Sequence, residues 1–141
     1  MWKREFSKVY EDVNPKKIWS LWEDVDNWPK WHRDLEYCKL DGKFSIGSYF
    51  ILKPKNMGAV KIKITALKEG EYFTDCTEFF GAKMYDTHRI TKTKEGLKIS
   101  NSLWVTGPLS WIWIKLVAQY VASTIEEKIS ALVELSKKSD L

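Results

Sequence analysis

Residues 106–138 read TGPLSWIWIKLVAQYVASTIEEKISALVELSKK, and how this stretch folds decides the architecture. The TGP triplet ends a strand, and the residues after it have helical periodicity. Lys115, Gln119, Ser123, Glu126, Ser130 and Lys137 recur as a narrow polar stripe. Trp113, Leu116, Val117, Tyr120, Val121, Ile125, Ile129 and Leu132 cover the remaining circumference. The pattern predicts one helix of about 30 residues, roughly 45 Å long at 1.5 Å per residue. A rod that apolar needs a large surface to grip it.

The segment from Leu35 to Thr106 supplies that surface. Gly42, Gly47, Gly58, Gly70, Gly81 and Gly96 punctuate β-rich runs, which predicts about six antiparallel strands in a meander. In AVKIKITAL (59–67), Val60, Ile62 and Ile64 alternate with Lys61, Lys63 and Thr65, so one face is buried and the other wet. In GLKISNSLWVT (96–106), Leu97, Ile99, Leu103 and Val105 point inward, and Asn101 shares their face. Upstream, KREFSKVYED (3–12) reads as a first strand. Asn14 is a suitable N-cap and Pro15 suits a first helical turn, so a helix carrying Ile18, Trp19, Trp22 and Val25 starts there. Pro29 then forces a break and a second short helix around Asn27 to His32. The economical assembly is α+β: a strongly curved sheet wrapped around the terminal helix.

Composition narrows the function. A chain of 141 residues fits a single domain, 1–141. Its 44% hydrophobic and 30% charged content is that of a globular protein. The net charge of +4 arises from 23 basic and 19 acidic residues interspersed along the chain, which offers no concentrated patch for nucleic acid. MWKREFSKVY has no apolar run of a signal peptide. The stretch Leu109–Ala122 contains Lys115 and Gln119 and falls short of the ~20 residues a span requires, so no stable membrane insertion is expected. Cys38 and Cys76 lack a CxxC spacing and read as reduced, buried thiols of a cytoplasmic protein. Aromatic residues make up an unusual 14%, and four of the eight tryptophans fall between Trp19 and Trp31.

Several of these motifs together carry a family likeness. NPKKIWSLWEDVDNWPKWH (14–32), LDGKFSIGSYFILKP (40–54), THRI (87–90) and VTGPLSWIWIKLV (105–117) resemble the polyketide cyclase/dehydrase branch of the START-like (SRPBCC) superfamily over nearly the full chain. The resemblance implies a helix-grip fold: a curved seven-stranded antiparallel sheet around a long C-terminal helix, with two short helices after strand 1 closing one end of a cavity. It implies lipids, sterols, polyketides and other hydrophobic molecules as guests, sometimes with chemistry and often without. Many members carry a histidine at the place of His88 and often a second near Asn101, where this chain departs from the pattern.

Candidate site residues follow from strand period and that cavity. If Ile90 faces inward, so do Met84, Asp86 and His88, putting a carboxylate and an imidazole inside. They and Asn101 either satisfy one another and a buried water, or orient a ligand. Trp19 and Trp22 are expected to pack, and Trp28 or Trp31, with His32 beside them, to border an opening. Trp113, Val117 and Tyr120 are the helix's contribution to the ligand wall. Trp111 falls one turn before Lys115; packing on the strand-one edge, lining the mouth and contact with a second subunit are all open to it, and simple packing is the expectation. The leading reading is a binder of a small hydrophobic molecule, acting as monomer or homodimer. The competing one is a cyclase, dehydratase or hydrolase in which His88, assisted by Asp86 and Tyr85, moves a proton. A protein-interaction module is the third. No sequence motif calls for a cofactor, and neither HxxxH nor CxxC spacing points to a metal.

Overall fold

A computed structural model describes residues 1–138. The first strand β1 (Lys3–Tyr10) leads to Asn14, whose side chain accepts from the Lys16 backbone N–H at 2.9 Å and so caps α1 (Pro15–Glu23). A 3₁₀ helix, Val25–Lys30, comes next and accommodates Pro29. Then come β2 (Leu35–Asp41), β3 (Tyr49–Pro54), β4 (Val60–Lys68), β5 (Tyr72–Phe79), β6 (Ala82–Lys92) and β7 (Leu97–Thr106). All pairings are antiparallel, in the order β1-β7-β6-β5-β4-β3-β2. The meander from 35 to 106 thus holds the six strands expected, and β1 closes its far edge against β7. Ile62 and Ile64 of β4 and Leu97, Ile99, Leu103 and Val105 of β7 are buried, as their alternation predicts.

The C-terminal helix crosses the concave face. It is bent and segmented where an unbroken rod was expected: α2 (Ser110–Trp113), a π-helical turn (Ile114–Ala118), α3 (Gln119–Ser123) and α4 (Ile125–Ser136). The break at Thr124 has a local cause. Ser123 Oγ donates to the Tyr120 carbonyl at 2.6 Å and Thr124 Oγ1 to the Val121 carbonyl at 2.9 Å, so two adjacent hydroxyls engage the carbonyls that regular helical bonds would use. The end of the expected helix, 139–141, lies outside the described residues. Trp111 stays 62% exposed, so the packing expected for it is not made.

Two glycines fix where the helix enters. Gly107 has φ +108°, and a Cβ there would sit 2.6 Å from the Gly81 carbonyl oxygen. Leu109 N–H donates to that same oxygen at 2.9 Å, clamping the helix start to the β5–β6 turn. Cys38 and Cys76 are both free and buried. No helix among the described residues is long and apolar enough to cross a membrane.

Candidate functional site

Sheet and helix do not meet everywhere. Between them lies a cavity of about 520 Å³. The sheet contributes Phe50, Leu52, Val60, Ile62, Phe79 and Met84, and the helix contributes Leu116, Val117, Val121, Ile125, Ile129 and Leu132. Lining residues that remain exposed mark the mouth: Met57 at 44%, Leu116 at 65% and Tyr120 at 56%. Leu116 and Tyr120 were expected to be gripped; they are exposed because the groove in front of them is hollow. Tyr120 Oη donates to Asp34 Oδ2 at 2.8 Å, tying α3 to the segment between the 3₁₀ helix and β2.

The tryptophan-rich segment closes one end. Trp19, Trp22, Trp28 and Trp31 are all buried. Phe73 is the hub, with ring centroids of Phe44 at 5.1 Å, Trp22 at 5.5 Å, Trp28 at 6.2 Å and Trp19 at 6.4 Å. Trp28 Nε1 donates to the Trp22 carbonyl at 2.9 Å, which locks the 3₁₀ helix to the end of α1. Trp28 and Trp31 both border the cavity, and Trp22, expected mainly to pack, packs and lines it as well. Trp19 packs.

A polar patch interrupts the apolar wall. Strands β5, β6 and β7 are neighbours, and their registers set Asp75 opposite Asp86 and His88 opposite Asn101 on the concave face. His88 Nε2 is hydrogen-bonded to Asp75 Oδ2 at 3.1 Å and lies 3.7 Å from Asp86 Oδ2. Asn101 Nδ2 donates to Asp86 Oδ1 at 2.6 Å. The imidazole stacks on Phe73 at 4.3 Å with an interplanar angle of 13°. Burial alone would favour neutral His88, but Asp86 and Asp75 outweigh it and hold the imidazole above its ordinary pKa. Burial pushes the Asp75 carboxyl up; its bond to His88 opposes this and Asp86 reinforces it.

Two further groups complete the chamber. Lys128 reaches in from α4; solvent touches it through the open cavity while protein surrounds it, and this desolvation lowers its pKa despite the fields of Asp86, Asp75 and Asp34. His32 lines the same space, and burial, Lys128 and His88 together push it down to about 3. Its Nδ1 has no hydrogen-bond partner.

Among the sequence candidates, the fold gathers Trp28, Trp31, His32, Met84, Asp86, His88, Asn101, Val117 and Tyr120 around one cavity. Two candidates lie elsewhere. Trp113 is not among the lining residues: it stacks on Phe79 at 4.5 Å, behind that wall residue, and donates from Nε1 to the Phe80 carbonyl at 2.8 Å. Tyr85 is the residue after Met84, so it faces the convex side, where it stacks on Trp104 at 5.3 Å. Asp75 and Lys128 were missed. The signal for Asp75 was its two-residue spacing from Phe73 and Thr77, and for Lys128 its place three residues after Ile125 and four before Leu132, on the apolar face. Asp75, Asp86 and His88 also bring ligand-type atoms within 4.8 Å of one another, a set whose members come from two strands and so have no metal-motif spacing. Lys128 lies within the fields of both carboxylates but forms no ion pair with either.

No protein-family model and no curated protein matches this chain. Solved structures do. A hypothetical protein from Helicobacter pylori superposes with TM-score 0.76 at 13% identity, covering 96% of this chain and 88% of that one. The chain has the START-like, helix-grip fold. The di-domain ARO/CYC StfQ from the steffimycin biosynthetic pathway gives TM-score 0.77 at 10% identity, over 96% of this chain and 50% of its own length. Ara h 8.0201 gives 0.71 at 16% identity, over 96% and 98%.

Proposed function

We propose that this helix-grip protein binds a small hydrophobic molecule, lipid-like, polyketide-like or aromatic, between the sheet and the C-terminal helix. The observation that carries this is the cavity of about 520 Å³ with a largely apolar wall. Left dry, a void of that size would cost about 12 kcal/mol at roughly 24 cal/mol per Å³, as much as a whole domain's stability. Water filling it would find partners at the polar patch but leave the larger, apolar part of the wall wetted. A guest with an apolar body resolves both costs, and rigid tryptophan faces receive it at small entropic expense.

An enzymatic reading has its own observation. His88 lies in the chamber wall, hydrogen-bonded to Asp75 at 3.1 Å and raised in pKa, the arrangement of an oriented acid/base. The ARO/CYC neighbour StfQ supports a polyketide-like substrate for it. In this form His88 moves the proton and Asp75, with Asp86, orients it; Tyr85, on the convex face, takes no part.

The deciding experiment is native mass spectrometry of the purified protein together with titration by the neutral probe N-phenyl-1-naphthylamine. A co-purifying small molecule or a saturable fluorescence rise supports the chamber; bare protein that leaves the probe dark ends both readings. His88→Ala then separates them. If ligand affinity persists while turnover of that ligand vanishes, the protein is an enzyme.

A further inference from the structure

We propose that the chamber selects molecules with a single negative charge, carboxylates above all, and that Lys128 holds that head while the apolar body lies along the cavity. This rests on the proposed binding of a hydrophobic molecule and adds the chemical class of the guest.

The polar groups of the chamber divide into two sets. Asp75 is bonded to His88 and Asp86 to Asn101, so those four satisfy one another. Asp34, also at the wall, accepts from Tyr120. Lys128 forms no ion pair with any carboxylate among the described residues. Its amine therefore lies in the chamber wall, within the fields of Asp86, Asp75 and Asp34 but with no direct ion-pair partner among the described residues. Such a group is costly unless something partners it.

Lys128 also lines a second, adjoining hollow. A smaller cavity of about 180 Å³ shares Trp31, His32, Thr124, Lys128 and the Tyr120-bonded Asp34 with the main one. Trp31 is only 6% exposed, and its indole N–H has no acceptor. His32 Nδ1 beside it is unpartnered as well. Glu127 and Glu134, which line the smaller cavity, are exposed and do not pair with Lys128. A carboxylate entering there meets Lys128, the lysine that the two cavities share.

The nearby Asp75 and Asp86 set the limit on charge: a dianionic head would be repelled by them with one ammonium to offset it. A monoanion on a hydrocarbon or aromatic body fits both the charge and the largely apolar wall.

Decanoate and 1-decanol, matched in chain length, provide the test by displacing N-phenyl-1-naphthylamine at neutral pH. Decanoate is expected to displace the probe at about a tenfold lower concentration than the alcohol, as a charge-assisted bond gives. Lys128→Met, which keeps the apolar stem, is expected to bring the two concentrations together, and Lys128→Arg to keep them apart. Lys128→Gln serves where the methionine variant does not fold. If both ligands displace the probe equally from the unaltered protein, or if the gap survives in Lys128→Met, anion selection is overturned while the chamber stands. If neither the probe nor decanoate binds, the chamber reading falls and this one with it.

Discussion

His32 and His88 share one chamber, yet their surroundings drive them in opposite directions. His88 sits between two carboxylates, so its folded-state pKa is raised; the stability it contributes is complete below 6.5 and is lost as pH rises through the folded value. Asp75, raised from 3.8, acts in the same sense: it favours the folded state at low pH and loses that advantage as pH rises. His32 is lowered from 6.5 to about 3, so across that window the unfolded chain holds a proton that the folded one lacks. Its share of stability therefore falls as pH drops, by at most about 1.4 kcal/mol per pH unit. Urea titrations at pH 7 and pH 4 should show unaltered protein losing on the order of 2 kcal/mol more than His32→Asn between the two conditions, after discounting for partial exposure. Parallel losses would contradict the assignment. At this scale the sequence was half legible. Strand period alone put Met84, Asp86, His88 and Asn101 on one face, because a two-residue repeat survives any curvature of the sheet. Asp75 and Lys128 escaped because their neighbours are polar too, Thr74 and Thr77 around the one and Glu126 and Glu127 before the other, and only the fold shows that both line the same hollow.

At the scale of elements, the terminal helix was readable as a helix and as the partner of the sheet, whereas its interruptions were not. Side-chain periodicity records which face is apolar; it does not record where Ser123 and Thr124 turn their hydroxyls onto carbonyls, or where a π-helical turn widens the backbone at Ile114–Ala118. Exposure of Leu116 and Tyr120 was equally hidden, since an apolar residue facing a cavity and one facing a core have the same letter. The TGP lead-in, by contrast, was a punctuation mark with a steric reason behind it. Gly107→Ala must hold a side chain at φ +108° and bring a Cβ to 2.6 Å from the Gly81 carbonyl, so the β5–β6 turn has to move. A loss of about 1–3 kcal/mol in urea unfolding is expected. Because this joint sets the angle at which the helix enters, the variant should also weaken uptake of N-phenyl-1-naphthylamine; unchanged stability and uptake would show that the joint is not what places the helix.

The whole molecule is a packed end joined to a hollow one. Around Phe73, the tryptophans, Phe44 and His88 form a dense aromatic plug, and Ile18, Ile64 and Ile99 are fully buried in the same core. That end supplies stability, which frees the other end to remain open between Met84 on the sheet and Val117 on the helix. A hollow of this kind differs from a poorly packed core in its response to filling. Added side-chain volume strains a full core by about 1–3 kcal/mol, but in an empty chamber it replaces water and leaves the fold intact. The double variant Met84→Trp, Val117→Phe should therefore melt within a few degrees of the unaltered protein. It should also lose the several-degree rise in melting temperature that a ligand at 100 times its dissociation constant, worth about 2.7 kcal/mol, gives the unaltered protein. Thermal unfolding with and without decanoate reads both quantities. A variant that melts far lower would mean the space is already occupied by the protein's own packing, and one that keeps its ligand shift would place the guest somewhere other than between sheet and helix.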